Sequence, residues 1–329
     1  NYSTDPARLR IHCSSGISWP KHMLARTLRI LQLLELLLAA ALAWWLLQAW
    51  QWPALAAITV GLCAPLALHA WIIALDFGLA SWAGGAVPPP LRLGVVQALR
   101  TYLSELRDSI RVFQWVQPWM AAHPLPGEIH ADQSRSKTEP LPVVLVHGYF
   151  CNRQIWRPLA RWLSARGHPI LGMDLEPLFC SIDEHVPLLD QAVRTALEKT
   201  GAPGVALVCH SMGGLVARAY LRRHPDAPVN RVITLGTPHH GTVHARFGKG
   251  VNVRQMRPDS DWLRELADSE SAADNARFTV VFSHHDNIVA PPQIQPLPGA
   301  RNIGLGGIGH VSLALDERVW RIVSDALER

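Results

Sequence analysis

Ser211 stands at the point where an apolar run ends and a helical pattern begins. Residues 205–209 favour a β-strand, and Gly213 and Gly214 follow the serine closely. This order predicts a strand, a sharp turn and a helix, with the serine hydroxyl exposed at the apex of the turn. The backbone N–H of Met212 would then lie at a helix N-terminus, where it can stabilise a developing oxyanion.

The turn departs from the strict Gly-x-Ser-x-Gly pattern at one position, because Cys209 stands where the first glycine is expected. That position needs a small side chain, since the strand and the following helix approach each other closely there. Cysteine is small enough to be tolerated. Gly213 fills the second glycine position, and we predict that it supports the turn.

A serine hydroxyl is a weak nucleophile at neutral pH unless a histidine takes its proton and a carboxylate orients that histidine. His310 follows the glycine-rich segment 304–309 and directly precedes the last predicted helix, and Asp286 lies just beyond a predicted strand. We therefore predict Ser211 as the nucleophile, His310 as the general acid and base, and Asp286 as the residue that orients the imidazole. Asp174 is an alternative acid, and His285 is an alternative base.

A tetrahedral oxyanion needs a second N–H donor besides that of Met212. The loop after the first predicted strand contains His147, Gly148 and Tyr149. Gly148 allows the backbone to approach closely, so the Tyr149 N–H is the expected second donor. His147 and Gly148 are expected to support this turn.

Predicted strands and helices alternate from residue 143 onwards. The strands are continuously apolar, as expected for strands covered on both faces, and they span 143–147, 169–175, 205–209, 229–235, 278–282 and 300–305. The predicted helices span 154–166, 183–199, 213–224 and 313–328. This alternation predicts an α/β fold whose mostly parallel sheet is flanked by helices, with reactive residues at the carboxyl ends of the strands.

Several motifs in this order resemble α/β-hydrolases of the bacterial lipase/esterase type. They are His147-Gly148-Tyr149, 210–214, 235–242, Asp286 and Gly309-His310. The resemblance covers residues 140–329 and does not extend to residues 1–139. It implies hydrolysis of carboxylic esters through an acyl-serine intermediate, without a cofactor.

Two long apolar runs precede this domain. Residues 30–50 and 54–75 are each long enough to cross a bilayer, which takes about 20 residues, and residues 51–53 between them carry no charge. Six of the thirteen Trp lie in this region. A transmembrane helical hairpin is therefore predicted over 23–83, with Trp residues at the membrane interface.

Basic residues flank both outer ends of this hairpin. They are Arg26 and Arg29 before it and Arg92, Arg100, Arg107 and Arg111 after it. Excess positive charge predicts both ends of the chain, and hence the catalytic domain, on the cytoplasmic side of the cell (inner) membrane. A secretory signal is an alternative, since residues 54–56 resemble a cleavage site. Glu35, His69 and Asp76 raise the further alternative of a proton path, although such isolated residues more often hydrogen-bond within a hairpin.

We divide the chain into four parts. Residues 1–22 form an N-terminal tail, 23–83 the hairpin, 84–139 an amphipathic helix with a Pro-rich linker, and 140–329 the α/β-hydrolase domain. In the third part, apolar residues recur at three- and four-residue spacing from Leu93 to Phe113. This apolar stripe could lie on the bilayer surface or pack on the enzyme, and packing is the commoner reason for such a stripe.

Composition excludes several other classes of function. A net charge of +5 without a dense Lys/Arg run argues against a nucleic-acid partner. The five scattered cysteines predict no disulfide framework, although Cys151 and Cys180 could pair in an exported domain. His239, His240 and His244 have zinc-like spacing, but no nearby acidic or Cys set completes a site, so no metal is expected.

The sequence thus predicts a membrane-anchored serine hydrolase that cleaves lipid or other hydrophobic acyl esters. Acyl transfer or thioester hydrolysis by the same residues, and a non-catalytic membrane scaffold, remain alternatives. The expected partners are a hydrophobic ester substrate and the membrane, with no cofactor and no obligate protein partner. The insertion at 241–276 could be a cap over the acyl pocket or a crossover helix.

Overall fold

A computed structural model describes residues 22–129 and 140–329 of the chain. The predicted tail at 1–22 therefore lies outside the described residues, except for its last residue. Much of the predicted linker also lies outside them.

Six parallel strands form one sheet, in the order β2-β1-β3-β4-β5-β6. They are β1 (Val143–Val146), β2 (Ile170–Met173), β3 (Val205–His210), β4 (Val229–Leu235), β5 (Phe278–Ser283) and β6 (Arg301–Leu305). All six predicted strands are confirmed, with ends that differ by at most two residues. The strand order reverses at β1, which pairs with β2 on one side and β3 on the other, and such a reversal opens a crevice at the carboxyl ends of the strands.

Helices cover both faces of this sheet and bury a separate apolar core on each. The helices of this part are α5 (Arg157–Ser164), α6 (Val186–Thr200), α7 (Met212–Arg223), α8 (Val251–Gln255), α9 (Asp261–Asp268), α10 (Ala272–Asn275) and α11 (Glu317–Glu328). Residues of α6 and α7 pack on one face, and residues of α5 and α11 pack on the other. The predicted α/β fold is confirmed.

The N-terminal part contains two long apolar helices, α1 (Met23–Ala49) and α2 (Ala54–Trp82). Their mean hydropathies are 2.1 and 2.0, and both are long and apolar enough to cross a membrane. Only 11% of the most apolar stretch of each is buried, so neither is a core helix covered by the rest of the protein. The two helices pack closely where a Cβ added at Gly61 would lie 2.6 Å from the Ala39 carbonyl oxygen.

The ends of these helices contact the sheet domain. Leu24 and Leu28 of α1 are buried against Leu178, and the Leu24 N–H donates a 3.1 Å hydrogen bond to Glu176. The first turns of α1 are therefore docked on the domain, while the outer parts of both helices expose apolar side chains.

A third N-terminal helix, α3 (Val95–Ile110), continues through a π-helical turn at Arg111–Val116 into α4 (Gln117–Met120). The expectation that its apolar stripe packs on the enzyme is wrong for Leu99 and Leu103, which are 55% and 50% exposed. Its polar face packs inwards instead, because buried backbone N–H groups of the sheet domain need acceptors there. Within the predicted linker, Glu128 forms a bridge to Ile170 at the edge of the sheet.

Candidate active site

Ser211 lies at the junction of β3 and α7 in a rare backbone conformation. Its φ is 55° and its ψ is −127°, a region that non-glycine residues seldom adopt and that costs about 1–3 kcal/mol. Hydrogen bonds of the Ser211 N–H and of its carbonyl oxygen maintain this strained conformation. The Ser211 N–H donates to Leu235, and its carbonyl oxygen accepts from the Thr237 hydroxyl, both at 2.9 Å. The serine thus stands on the predicted sharp turn.

Two glycines make room for this turn. A Cβ added at Gly148 would lie 2.7 Å from the Ser211 Cβ, and one added at Gly213 would lie 2.5 Å from the Val146 carbonyl oxygen. Both distances are too short for real Cβ contacts. Cys209 is completely buried at the position where a glycine was expected, so the structure accommodates its small side chain.

His310 and Asp286 are hydrogen-bonded to each other. Asp286 Oδ2 lies 2.9 Å from His310 Nδ1, and Asp286 Oδ1 accepts from the backbone N–H groups of Ile288 and Val289 at 2.8 and 2.7 Å. These contacts fix the carboxylate after β5. Since the carboxylate only accepts hydrogen bonds, His310 carries a proton on Nδ1 and leaves Nε2 free to act as a base.

The segment that carries His310 is held by acidic residues of α3. The Glu105 carboxylate is buried and accepts from the backbone N–H groups of Val311 and Ser312, both at 2.9 Å. Asp108 accepts from the Ser312 hydroxyl at 2.8 Å. A Cβ at Gly309 would collide with the Glu105 carboxylate, so this helix and the histidine segment fit closely.

The pKa of His310 is raised above its ordinary value. Burial lowers this pKa, but the charge of Asp286, the hydrogen bond to Asp286 and the charge of Glu105 together raise it more. Burial raises the pKa of Glu105 as well, while its two backbone hydrogen bonds oppose that shift. The imidazole is thereby made a stronger base than an isolated histidine.

His210 packs beside the turn, as predicted. Its ring centroid lies 4.6 Å from that of His310, and its Nε2 lies 3.0 Å from the His310 carbonyl oxygen. Burial and the nearby His310 charge lower the pKa of His210 to about 3. A neutral His210 therefore supports the His310 backbone without adding a charge to the site.

Ser211 and His310 both line one cavity of about 410 Å³. The cavity is largely apolar, and its wall combines the sheet domain with the N-terminal helices. Its other wall residues include Tyr149, Ala245, Val253, Met256 and Val289 of the sheet domain and His69, Ile72, Ile73, Asp76, Glu105, Ser109 and Phe113 of the N-terminal part. The insertion at 241–276 thus contributes to the cavity wall through residues such as Met256.

Asp174 and His285, the alternative acid and base, have other hydrogen-bond partners. Asp174 accepts a 2.8 Å hydrogen bond from the Arg153 N–H and lies 3.7 Å from His147 Nε2. His285 Nδ1 accepts from the Gly307 N–H at 3.1 Å. His147 bridges the ends of β1 and β2, because its Nε2 accepts from the Leu175 N–H at 2.9 Å.

The other residues singled out in the sequence are buried in the core or pair with polar groups. Met212 is 1% exposed, and its side chain belongs to the core rather than to the cavity. His239, His240 and His244 turn to different partners, namely Thr234, Pro296 and Asp76. Cys151 and Cys180 are both buried, and no disulfide of the kind considered for an exported domain joins them.

Glu105 and Asp108 were not predicted as site residues, and Asp76 was considered only for a proton path. Glu105 and Asp108 share one face of α3 with Thr101 and Ser109, and all four are buried. The sequence carries a signal for this face in their spacing at i, i+4, i+7 and i+8. The spacing does not indicate which residues this face contacts, because Glu105 and its partner Val311 are 206 residues apart in the sequence.

Comparison with known proteins supports the fold. The model of the family described as alpha/beta hydrolase fold matches residues 142–257. Lysosomal thioesterase PPT2 of Homo sapiens is 36% identical over 126 residues, which cover 36% of this chain and 39% of that protein. PPT2-B of Xenopus laevis is 28% identical over 125 residues, 36% of this chain and 41% of the relative. The chain thus spans about two fifths of the length of these curated relatives.

Two solved lipases share the architecture. The mature form of Bacillus licheniformis lipase BlEst2 aligns with a TM-score of 0.52 and 20% identity, over 60% of this chain and 95% of the lipase. Aspergillus fumigatus lipase B aligns with a TM-score of 0.52 and 18% identity, over 61% of this chain and 55% of that protein. At these identities the likeness concerns the fold alone. The chain therefore has the α/β-hydrolase fold, preceded by two helices long and apolar enough to cross a membrane.

Proposed function

We propose that this protein is a serine hydrolase of hydrophobic acyl esters. The observation that carries the proposal is that His310, which is hydrogen-bonded to Asp286, lines the same cavity as the strained Ser211. A strained serine, a basic imidazole and a fixed carboxylate at one sheet edge are the parts that acyl transfer to serine requires.

In the proposed reaction, His310 Nε2 takes the proton of the Ser211 hydroxyl while Ser211 Oγ attacks the acyl carbonyl carbon. The backbone N–H groups of Tyr149 and Met212 donate to the resulting oxyanion. His310 then gives its proton to the leaving alcohol as the acyl-serine forms. Water, deprotonated by His310, attacks the acyl-serine and releases the acid and the serine hydroxyl.

The substrate class follows from the wall of the cavity. Ile73, Val253 and Met256 present apolar surface to it, which favours an acyl chain over a polar group. Val253 lies in α8, so this helix forms part of the cavity wall. A water-poor cavity also strengthens the hydrogen bonds that stabilise the oxyanion.

We further propose that α1 and α2 anchor the enzyme in a membrane. Their 27 and 29 residues exceed the roughly 20 that a bilayer requires. Residues of the surplus turns contact the sheet domain, since Leu24 is buried against Leu178 and Asp76 lies 3.8 Å from His244 Nε2. Cleavage near Ala56 would remove the docked α1, so a retained hairpin is favoured over a cleaved signal. The flanking arginines favour the cytoplasmic side for the domain.

Thioester hydrolysis is a second candidate, because the curated relatives are named lysosomal thioesterases. The proposed acyl-serine pathway accepts either leaving group, since His310 protonates an alcohol and a thiolate leaves more readily. The two candidates differ only in the group that leaves first.

The test uses the full chain in detergent with p-nitrophenyl esters and S-acyl thioesters of graded chain length. Ser211→Ala should reduce both activities by at least about two orders of magnitude. Ser269→Ala changes an exposed serine and should leave both unchanged. Equal rates for Ser211→Ala and the parent would exclude the acyl-serine pathway, and no activity in the parent would favour a scaffold.

Orientation is tested separately. A reporter that is active only in the cytoplasm, fused after Arg329, should be active in cells. A silent reporter at full expression would reverse the proposed orientation without affecting the hydrolase assignment.

A further inference from the structure

Helix α3 exposes four apolar residues and buries a row of polar ones. Val95, Val96, Leu99 and Leu103 are 87%, 63%, 55% and 50% exposed, whereas Thr101, Glu105, Asp108 and Ser109 are at most 5% exposed. A helix on the surface of a water-soluble domain shows the opposite arrangement. The outer face of α3 is therefore built to meet something other than water.

The inner face fixes this orientation. Glu105 accepts from two backbone N–H groups of the His310 segment, Asp108 accepts from Ser312, and Ser109 Oγ lies 2.9 Å from His69 Nε2. Turning the apolar stripe inwards would break these contacts and leave buried acceptors and N–H groups unsatisfied. The stripe is thus held outwards by the same contacts that hold the histidine segment.

The arginines of α3 and of the π-helical turn that follows it lie along one edge of the apolar stripe. Arg100, Arg107 and Arg111 are exposed and follow at seven- and four-residue spacing, which places them on one flank of the helix. Basic residues beside an apolar stripe are typical of helices that lie in the headgroup region of a bilayer, because they meet lipid phosphates there. Further along the same continuous helix, Trp115 and Trp119 are 68% and 55% exposed, as expected of residues at a membrane interface.

The stripe also lies where the bilayer surface is expected. The Tyr102 hydroxyl donates a 2.8 Å hydrogen bond to the Ala70 carbonyl oxygen, and the rings of Tyr102 and Phe77 lie 6.2 Å apart. Counting about 20 residues from the start of α2 places the end of its membrane crossing near residue 73. Helix α3 therefore packs on α2 at the level where α2 leaves the hydrocarbon region.

We propose that α3 is an in-plane membrane helix. Its apolar stripe lies at the boundary of headgroups and acyl chains, its arginines contact lipid phosphates, and its inner face holds the His310 segment. This proposal rests on the proposed membrane anchoring and adds a second lipid-contacting surface beside the active-site cavity. The partner of this apolar surface is the lipid bilayer.

The test measures the depth of single labelled positions in the reconstituted full chain. Fluorophores are attached to Leu99→Cys and Leu103→Cys, in a background with Cys13→Ser and Cys63→Ser and with the buried thiols unchanged. Leu37→Cys in α1 reports hairpin insertion, and Arg321→Cys, exposed on α11, reports water. The vesicles contain phosphatidylcholine and phosphatidylglycerol, with a nitroxide lipid as the bilayer quencher and a nickel chelate as the aqueous quencher.

The nitroxide lipid should quench the labels at positions 99 and 103 at least about twofold more than the label at 321. Quenching at 37 without quenching at 99 and 103 would overturn the in-plane helix and leave the anchor intact. No lipid quenching at 37 would refute the anchor itself. Protection of 99 and 103 from both quenchers would mean that a protein surface, such as a second copy, covers the stripe, and would also overturn the proposal.

Discussion

The Glu105 carboxylate of α3 accepts a 2.9 Å hydrogen bond from the backbone N–H of Val311, the residue that follows His310. It also accepts from Ser312, so a carboxylate outside the sheet domain fixes the segment that carries the proposed base. The same carboxylate contributes to the raised pKa of His310. Glu105 thus acts on the imidazole both through the backbone and through its charge.

Glu105→Gln should lower kcat by about tenfold or more. One of the two backbone N–H groups, of Val311 or Ser312, would then face the side-chain NH2 of glutamine, which cannot accept its hydrogen bond. It should also move the acidic limb of the kcat/KM profile to lower pH. His310 must be neutral to act as a base, so activity appears above its pKa, and removing a nearby negative charge lowers that pKa.

The matched control is Glu317→Gln, a change of an exposed carboxylate on α11. It should leave both kcat and the acidic limb in place. A purely structural role for Glu105 predicts a lower kcat with an unmoved limb, so the pH profile separates the two interpretations.

Asp286→Asn should reduce kcat by about three to four orders of magnitude, since the amide favours the wrong tautomer of His310. Asp286 supplies the largest of the effects that raise the pKa of this imidazole. The acidic limb of the residual activity should therefore move to lower pH. Asp174→Asn tests the competing acid and should cost much less activity. A larger loss for Asp174→Asn would reverse the assignment of the two carboxylates.

Gly148→Ala should abolish most of the activity while leaving the fold intact in its far-ultraviolet spectrum. The added methyl group would lie 2.7 Å from the Ser211 Cβ and 3.1 Å from the His210 carbonyl oxygen, so either the serine or the oxyanion loop must shift. Gly78→Ala serves as the control, because a Cβ at Gly78 meets no atom within 4 Å. An active Gly148→Ala enzyme would argue against an oxyanion hole at this loop.

Arg218→Met should lower the free energy of unfolding by about 3–5 kcal/mol, because it leaves Glu270 without its partner. Arg218 is buried in α7 and donates to both carboxylate oxygens of Glu270 and to the His239 carbonyl oxygen. Denaturant unfolding in detergent measures the loss. Arg264→Met breaks an exposed ion pair with Asp261 and should change stability by less than about 1 kcal/mol.

The sheet and the serine turn could be predicted because their determinants are local. A strand of Val and Leu residues followed by Ser211 and two glycines has few other conformations, and each predicted strand is found at its expected place. His310 and Asp286 could be predicted because the chain order of such residues restricts the candidates. In the structure, the two side chains are hydrogen-bonded to each other.

The role of α3 could not be predicted in the same way. The period of Leu99 and Leu103 indicates an amphipathic helix, but a period does not say which face is buried. The answer depends on acceptors for the Val311 and Ser312 N–H groups, and these lie about 200 residues away in sequence. Long-range backbone hydrogen bonds of this kind leave no local pattern.

Ile72→Trp should shorten the preferred acyl chain of the ester substrate. Ile72 of α2 lines the active-site cavity and is 49% exposed, so a larger ring can enter the cavity without overpacking the core. The added volume should exclude long chains and leave short esters as good substrates. Rates on p-nitrophenyl esters from two to sixteen carbons, with the full chain in detergent, give the profile.

Leu75→Trp is the matched control, because Leu75 lies on the same helix with 52% exposure but outside the cavity wall. It adds the same ring to the same helix and should keep the parent chain-length profile. Identical profiles for the two variants would mean that α2 does not bound the acyl site, even if Ser211 is the nucleophile. A shift confined to Ile72→Trp would identify α2 as part of the acyl-binding wall, so that the helix proposed to anchor the enzyme also selects its substrate.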